Sequence, residues 1–266
     1  MNLDLAGRSV LITGGSAGIG LATALAFARE GCNLHLAARD AAKLNAAREK
    51  ILAQSKVSVT CHPADLSDSA QVRKLAGDCG KLDILINNAG AIPGGTLESI
   101  DEATWRRAWD LKVFGYINMT REVYRAMCQA RSGVIINVIG LAGERPNAKY
   151  IAGAGGNAAL MAFSRAIGAD APSHGVRALA INPGMVKTER LINLSRDAAR
   201  VEWNDESRWE EAMTKAVKDL PFGRAALPEE VADVVVFMAS PRASYVSGTV
   251  VTVDAGFGGL RYERVE

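Results

Sequence analysis

The densest chemical signal in the chain is Thr13-Gly14-Gly15-Ser16-Ala17-Gly18-Ile19-Gly20, which spends four glycines in eight residues. It lies between a short apolar run, Val10-Leu11-Ile12, and a helical repeat of Ile19, Ala22, Leu25, Ala26 and Phe27. A buried strand, a glycine turn and a helix together aim bare backbone N–H groups and a helix N-terminus at a phosphate. The spacing is Gly14-x-x-x-Gly18-x-Gly20, distinct from the commoner G-x-G-x-x-G. Two other chemistries overlap it. Gly14 to Gly18 also fits the G-x-S-x-G elbow of hydrolases, which needs an acid and then a histidine later in the chain. The three histidines argue against that: His35 sits inside an expected strand, His62 ends another and His174 lies in a polar turn. No Lys-Ser or Lys-Thr follows the glycines, which excludes a P-loop.

The elements that must carry this turn alternate along the chain. Strands are expected at 10–12, 33–37, 57–61, 82–86, 134–139, 176–181 and 250–253. Helices are expected from the glycine turn to Glu30 and over 40–54, 68–79, 100–130 and 147–171. A charged, irregular helical stretch covers 190–220, and a further helix starts at Pro228. Such alternation predicts an α/β fold with right-handed crossovers and a parallel sheet. Ligands of these sheets bind beyond the carboxyl ends of the strands. Arg39, Asp65 and Asn87-Asn88-Ala89-Gly90 all stand at such ends. With 266 residues, 48% hydrophobic and 23% charged, the chain suits one domain over 1–266 with a sizeable core. A net charge of +2 without a basic run argues against nucleic acid. No apolar stretch approaches a membrane span, and residues 1–7 are too short and acidic for a signal peptide. Cys32, Cys61, Cys79 and Cys128 show no C-x-x-C pairing, so reduced thiols in a cytoplasmic protein and no metal are expected.

Five motifs in register resemble the classical short-chain dehydrogenase/reductase family over nearly the whole length. They are the glycine turn, Asp65-Leu66, Asn87-Asn88-Ala89-Gly90, Asn182-Pro183-Gly184 with Thr188, and Ser247-Gly248 through Asp254. The resemblance implies a Rossmann-type, doubly wound, mainly parallel seven-stranded sheet with helices on both faces. It also implies a nicotinamide dinucleotide, a small-molecule substrate and a homotetramer or homodimer. By the same resemblance Gly14, Gly18 and Gly20, with Ser16 and Ile19, hold the pyrophosphate. Asp65 and Leu66 contact the adenine, and Asn88, Ala89 and Gly90 line its ribose. Pro183, Gly184, Val186 and Thr188 face the nicotinamide carboxamide. After the second strand, alanine at 38 replaces the acid that binds a ribose 2′-OH, and Arg39 follows, a fork donor suited to a 2′-phosphate. NADP is therefore expected over NAD. The stretch 186–220 takes the place of the family's substrate lid, where Leu191, Ile192, Trp203, Trp209 and Met213 either wall an apolar pocket or pack the lid onto its own domain.

The chemical half of the pattern departs from the family. Gly140 stands where its serine belongs, Gly153 at its tyrosine, Asn157 at its lysine and Lys112 at its asparagine. In the family the tyrosine exchanges a proton with the substrate oxygen, its acidity raised by the lysine; glycine offers no such group. Lys112 and Asn157 look like an exchange of the usual asparagine and lysine, one supplying charge and the other a ribose hydrogen bond. Tyr150, three residues before Gly153 on one helical face, either swings its hydroxyl into the vacated space or packs at the helix entry. Two functions stand open: an oxidoreductase on a carbonyl or alcohol with an atypical proton donor, either Tyr150 or an ordered water near Lys112, or a catalytically silent NADP-binding sensor or partner subunit.

Overall fold

The computed structural model describes residues 1–259; residues 260–266 of the expected domain lie outside the described residues. The strands are β1 (Ser9–Thr13), β2 (Asn33–Ala38), β3 (Val59–Pro63), β4 (Ile84–Asn87), β5 (Gly133–Val138), β6 (Val176–Pro183) and β7 (Val250–Val253). The helices are α1 (Gly18–Arg29), α2 (Ala41–Leu52), α3 (Ser69–Cys79), α4 (Glu102–Trp109), α5 (Gly115–Ala130), α6 (Ile151–Asp170), α7 (Glu189–Trp203), α8 (Trp209–Val217) and α9 (Pro228–Ala239).

One sheet runs in the order β3-β2-β1-β4-β5-β6-β7, with every neighbouring pair parallel. Successive side chains of a strand point to opposite faces. Val10 and Ile12 accordingly join a core with Phe27, Leu44, Ile51, Val231 and Val235, from α1, α2 and α9. Leu11 joins the opposite core, with Val72, Leu75, Met119, Val123 and Met127 from α3 and α5. This is the Rossmann-type doubly wound arrangement. The winding reverses between β1 and β4, which opens a crevice at their carboxyl ends. Among the described residues no helix is long and apolar enough to cross a membrane.

The structure departs from the expected elements where side chains compete with the ladder. Pairing of β3 starts at Val59 rather than residue 57, because the Asn33 carboxamide oxygen takes both the Ser58 amide and its hydroxyl. The helix expected from residue 147 begins at Ile151, since Asn147 first closes a turn onto Lys149 and Tyr150. The helix expected over 100–130 is two helices joined by a π-helical turn, Asp110–Phe114. The inserted turn directs Lys112 inward, an arrangement often found at functional sites. The stretch 190–220 resolves into α7 and α8. Leu191, Ile192, Trp209 and Met213 pack with Val217, Ala225 and Leu220 as a core of their own, while Trp203 lies under the Arg208 guanidinium.

Ser247-Gly248 fastens α6 to the sheet. The Ser247 hydroxyl donates to the Gly168 carbonyl at 2.7 Å and accepts from the Ala178 amide at 3.2 Å. A Cβ on Gly168 would overlap the Ala178 carbonyl oxygen and the Gly248 backbone, neither of which can turn away. Gly168→Ala should therefore lower stability by about 2 kcal/mol or more despite its helix-propensity gain, as measured by urea unfolding.

Candidate active site

At the end of β1 the chain turns through Gly14 (φ 67°) and Gly18 (φ 54°), left-handed backbone that suits glycine. The Thr13 hydroxyl accepts from the amides of Asn88 (2.9 Å) and Ala89 (3.1 Å), and the Asn88 carboxamide donates back to the Thr13 carbonyl. These bonds lock the ends of β1 and β4 together at the reversal of winding. A Cβ on Gly20 would overlap the Gly14 carbonyl, so α1 rises tightly out of the turn. Asp40, Asp68 and Asp101 cap α2, α3 and α4, whereas α1 starts from Ala17 with no side-chain acceptor. Its first-turn N–H groups thus face the crevice in the manner of an anion site. Ser16 and Ile19 are half-buried at its rim.

Thr188, at the start of α7, lies over Gly18: a Cβ there would sit 3.3 Å from the threonine methyl. Pro183 closes β6, and Gly184 donates to the Val253 carbonyl at 3.0 Å; Val186 is buried. Arg39 is exposed beyond β2 and makes no ion pair among the described residues, because Asp40 is turned onto the α2 amide of Lys43. Asp65 holds its own turn by accepting from the Ser67 amide and hydroxyl. The Leu66 side chain is in the core, which leaves only its backbone for a ligand.

Around the end of β5, three successive carbonyls each accept one side chain. Tyr116 donates to Val138 (2.8 Å), Lys112 to Ile139 (2.6 Å) and the Asn157 carboxamide to Gly140 (3.2 Å). Gly140 has φ 137° and donates to Asn182 Oδ1, a conformation that other residues rarely adopt. Asn157 is buried, and its Oδ1 has no partner among the described residues. A buried orphan acceptor is costly, and a ligand hydroxyl would satisfy it. The Lys112 stem lies across Gly90, where a Cβ would approach its Cδ to 2.8 Å. Burial, reinforced by the nearby Arg190, brings the Lys112 ammonium down to about 7. Burial pushes the Tyr116 phenol well up, which leaves it a fixed donor.

The Tyr150 ring packs on Gly153, over the position that a Cβ would take there. Its hydroxyl accepts from Arg190 at 3.5 Å, and Arg190 also donates to the Ile92 carbonyl at 2.7 Å. Sequence reasoning missed Arg190. The available signal was its place two residues after Thr188, on the first turn of the lid helix. Gly155 and Gly156 make room for Trp109, whose indole donates to the Ala152 carbonyl, and not for a ligand. Glu144 accepts from Thr252, and Arg145 lies over the Phe257 ring.

Residues 8–199 match the family pattern described as short chain dehydrogenase. The chain belongs to the short-chain dehydrogenase family. A 3-oxoacyl-[acyl-carrier-protein] reductase of Chlamydia muridarum is 32% identical over 96% of this chain and 99% of its own. A 2-keto-3-deoxy-L-fuconate dehydrogenase of Xanthomonas campestris is 33% identical over 96% and 82%. The solved L-sorbose reductase of Gluconobacter frateurii, complexed with NADPH and L-sorbose, superposes with a TM-score of 0.92 at 28% identity, covering 98% of this chain and all of that one. The relatives are thus named as reductases and dehydrogenases, and the sorbose reductase shares the fold.

The tight fit of Tyr150 on Gly153 is measurable. Gly153→Ala should cost about 1–3 kcal/mol by forcing the ring out. In a Tyr150→Ala background the same change should instead stabilise α6, by up to about 1 kcal/mol. A double-mutant cycle by denaturant unfolding reads the change of sign.

Proposed function

We propose that this short-chain dehydrogenase is an NADP-dependent reductase of a carbonyl compound, in which Lys112 is the proton donor in place of the family's tyrosine. The observation that carries this reading is the buried Lys112 ammonium at the end of β5, which donates to the Ile139 carbonyl at 2.6 Å; burial, with Arg190 nearby, lowers it to about 7. A general acid works best when its pKa lies near the operating pH. Gly140 and Gly153 offer no hydroxyl, so the family's serine and tyrosine roles fall to other side chains.

The α1 N-terminus and glycine turn hold the pyrophosphate, Arg39 the 2′-phosphate, and Asn157 Oδ1 accepts from the nicotinamide ribose. The cofactor, when bound, supplies the hydride. Lys112 keeps one N–H on the Ile139 carbonyl and gives another proton to the substrate oxygen as negative charge builds there. Arg190 makes that proton easier to lose and, with the Tyr150 hydroxyl, orients the substrate under a lid formed by α7 and α8. The amine then regains its proton from solvent. Overall a carbonyl, NADPH and one proton give an alcohol and NADP⁺. Two cations with no acid between them also favour a neutral dihydronicotinamide over the cationic oxidised ring, which supports reduction as the working direction.

Fluorescence titration should show tighter binding of NADPH than NADH. Arg39→Ala should weaken NADPH about tenfold or more and leave NADH unchanged, since a charge-assisted bond to phosphate is worth roughly 1.5–3 kcal/mol. Retained NADPH preference in that variant would remove Arg39 from the reading.

A panel of carbonyl substrates monitored by NADPH loss tests the chemistry. Reduction needs the protonated amine, so kcat should fall as pH rises through about 7. Lys112→Met should lose about 10²-fold or more in kcat and flatten the profile, while Tyr150→Phe should act mainly on KM. Full turnover in Lys112→Met would sink the proposed donor. NADPH binding without turnover on any carbonyl would favour a silent binding protein.

A further inference from the structure

Away from the crevice, His35, His62 and Cys79 bring three ligand atoms within 4.8 Å of one another. We propose that they form a binding site for a divalent transition-metal ion of the Zn²⁺ type, which ties the edge strand β3 to β2 and α3. Three elements make the cluster. In the β2–β3 register Ala37 faces His62, so His35, two residues earlier, lies diagonal to His62 on the same sheet face. α3 packs on that face through Val72 and Leu75, and its last residue, Cys79, reaches the pair.

His35 Nδ1 is 3.0 Å from His62 Nε2, and Cys79 Sγ is 3.8 Å from the same nitrogen. A tetrahedral ion with bonds of about 2.05 Å to nitrogen and 2.3 Å to sulfur spaces its ligands about 3.3 Å (N···N) and 3.5 Å (N···S) apart. Two of the three separations fall within about 0.3 Å of those edges, and the third, His35 Nδ1 to Cys79 Sγ, lies within 4.8 Å, so binding needs a small inward turn of these side chains. Hydrogen bonding alone accounts for the cluster less well. His62 Nε2 carries either one lone pair or one hydrogen, yet it faces two groups, and one proton cannot serve both. A cation among them takes up all three lone pairs, the thiol proton leaving to solvent.

Both imidazoles are half-buried while Cys79 is buried, so the open side of the site faces water and can admit an ion. The donor set of two imidazoles and a thiolate is that of borderline and soft cations, and a water or the neighbouring Asp78 would complete four-coordination. Asp78 now pairs with Lys74 at 2.5 Å, and both act electrostatically on His62. Cys61, on β3, is turned onto the Leu44 carbonyl and takes no part.

Cobalt(II) titration of the full chain, free of any affinity tag, tests the site independently of cofactor or turnover. The expected result is one ion per chain, with a thiolate-to-cobalt charge-transfer band and tetrahedral d–d bands, both lost on adding zinc. Cys79→Ser should abolish the charge-transfer band, and His62→Gln should weaken binding roughly tenfold or more. Cys61→Ser should leave the spectrum unchanged. Circular dichroism and NADPH binding verify that each variant is folded. No charge-transfer band in the wild-type chain would overturn the proposal, as would a band that survives in Cys79→Ser or disappears in Cys61→Ser.

Discussion

Backbone carbonyls at the end of β5 must be satisfied after the ladder that served them has ended. The last partner of β4 on this strand is Asn137, and the last partner of β6 is Val138. At and beyond this point residues 138 and 139 are buried and Gly140 half-buried, and an unpaired buried carbonyl costs as much as a lost hydrogen bond. Tyr116, Lys112 and Asn157 meet that demand from two different helices. The chemistry follows from this constraint. A lysine recruited to satisfy a buried carbonyl, with no carboxylate alongside, loses the hydration that keeps its ammonium stable. Its proton affinity falls to about 7.

The helices carrying these donors are set by a second polar chain in the core. Asn87 donates to the Thr120 hydroxyl and to Asn137, and Asn137 donates to Ser164, which donates to the Leu160 carbonyl. It crosses from β4 through β5 to α6, with α5 held at the side. Each bond contributes only about 1 kcal/mol net, but breaking one strands a buried partner at greater cost. Such a network favours one alignment of α5 and α6 over sliding alternatives. It therefore fixes where Lys112 and Asn157 stand relative to each other, from buried side chains alone.

Most of the scaffold was legible because its signals are local. Apolar runs, the glycine turn and the acid caps each act within a few residues, and the parallel order follows from alternation. The π-helical turn was not legible, since 100–130 reads as one continuous amphipathic helix and the inserted residue shows only in the inward aim of Lys112. Nor could sequence decide where the Tyr150 ring goes; that depends on Gly153 lacking a Cβ and on Arg190 arriving from α7. The convergence of His35, His62 and Cys79 is invisible to motif spacing, because the ligands come from two strands and a helix end rather than from one loop. Sequence also left the lid's aromatic and aliphatic residues undecided between a pocket wall and a core, and packing gathers Leu191, Ile192, Trp209 and Met213 into a core.

The glycines of α6 carry the last step. Each stands where something large has been admitted: the Tyr150 ring at 153, the Trp109 indole at 155 and 156, and the sheet itself at 168. An α-helix with so many glycines is intrinsically weak, by about 1 kcal/mol for each relative to alanine. What holds it is the surface these neighbours supply, fastened by the Trp109 bond to Ala152 and the Ser247 bond to Gly168. The absence of a side chain at 153 and the presence of Tyr150 over it are thus one structural fact. A bulky residue at 153 cannot enter while that ring remains, and the ring cannot leave without exposing the gap. Position 153 is thereby closed to a side chain on this helix face, while Lys112 is anchored at the end of β5 by the Ile139 carbonyl.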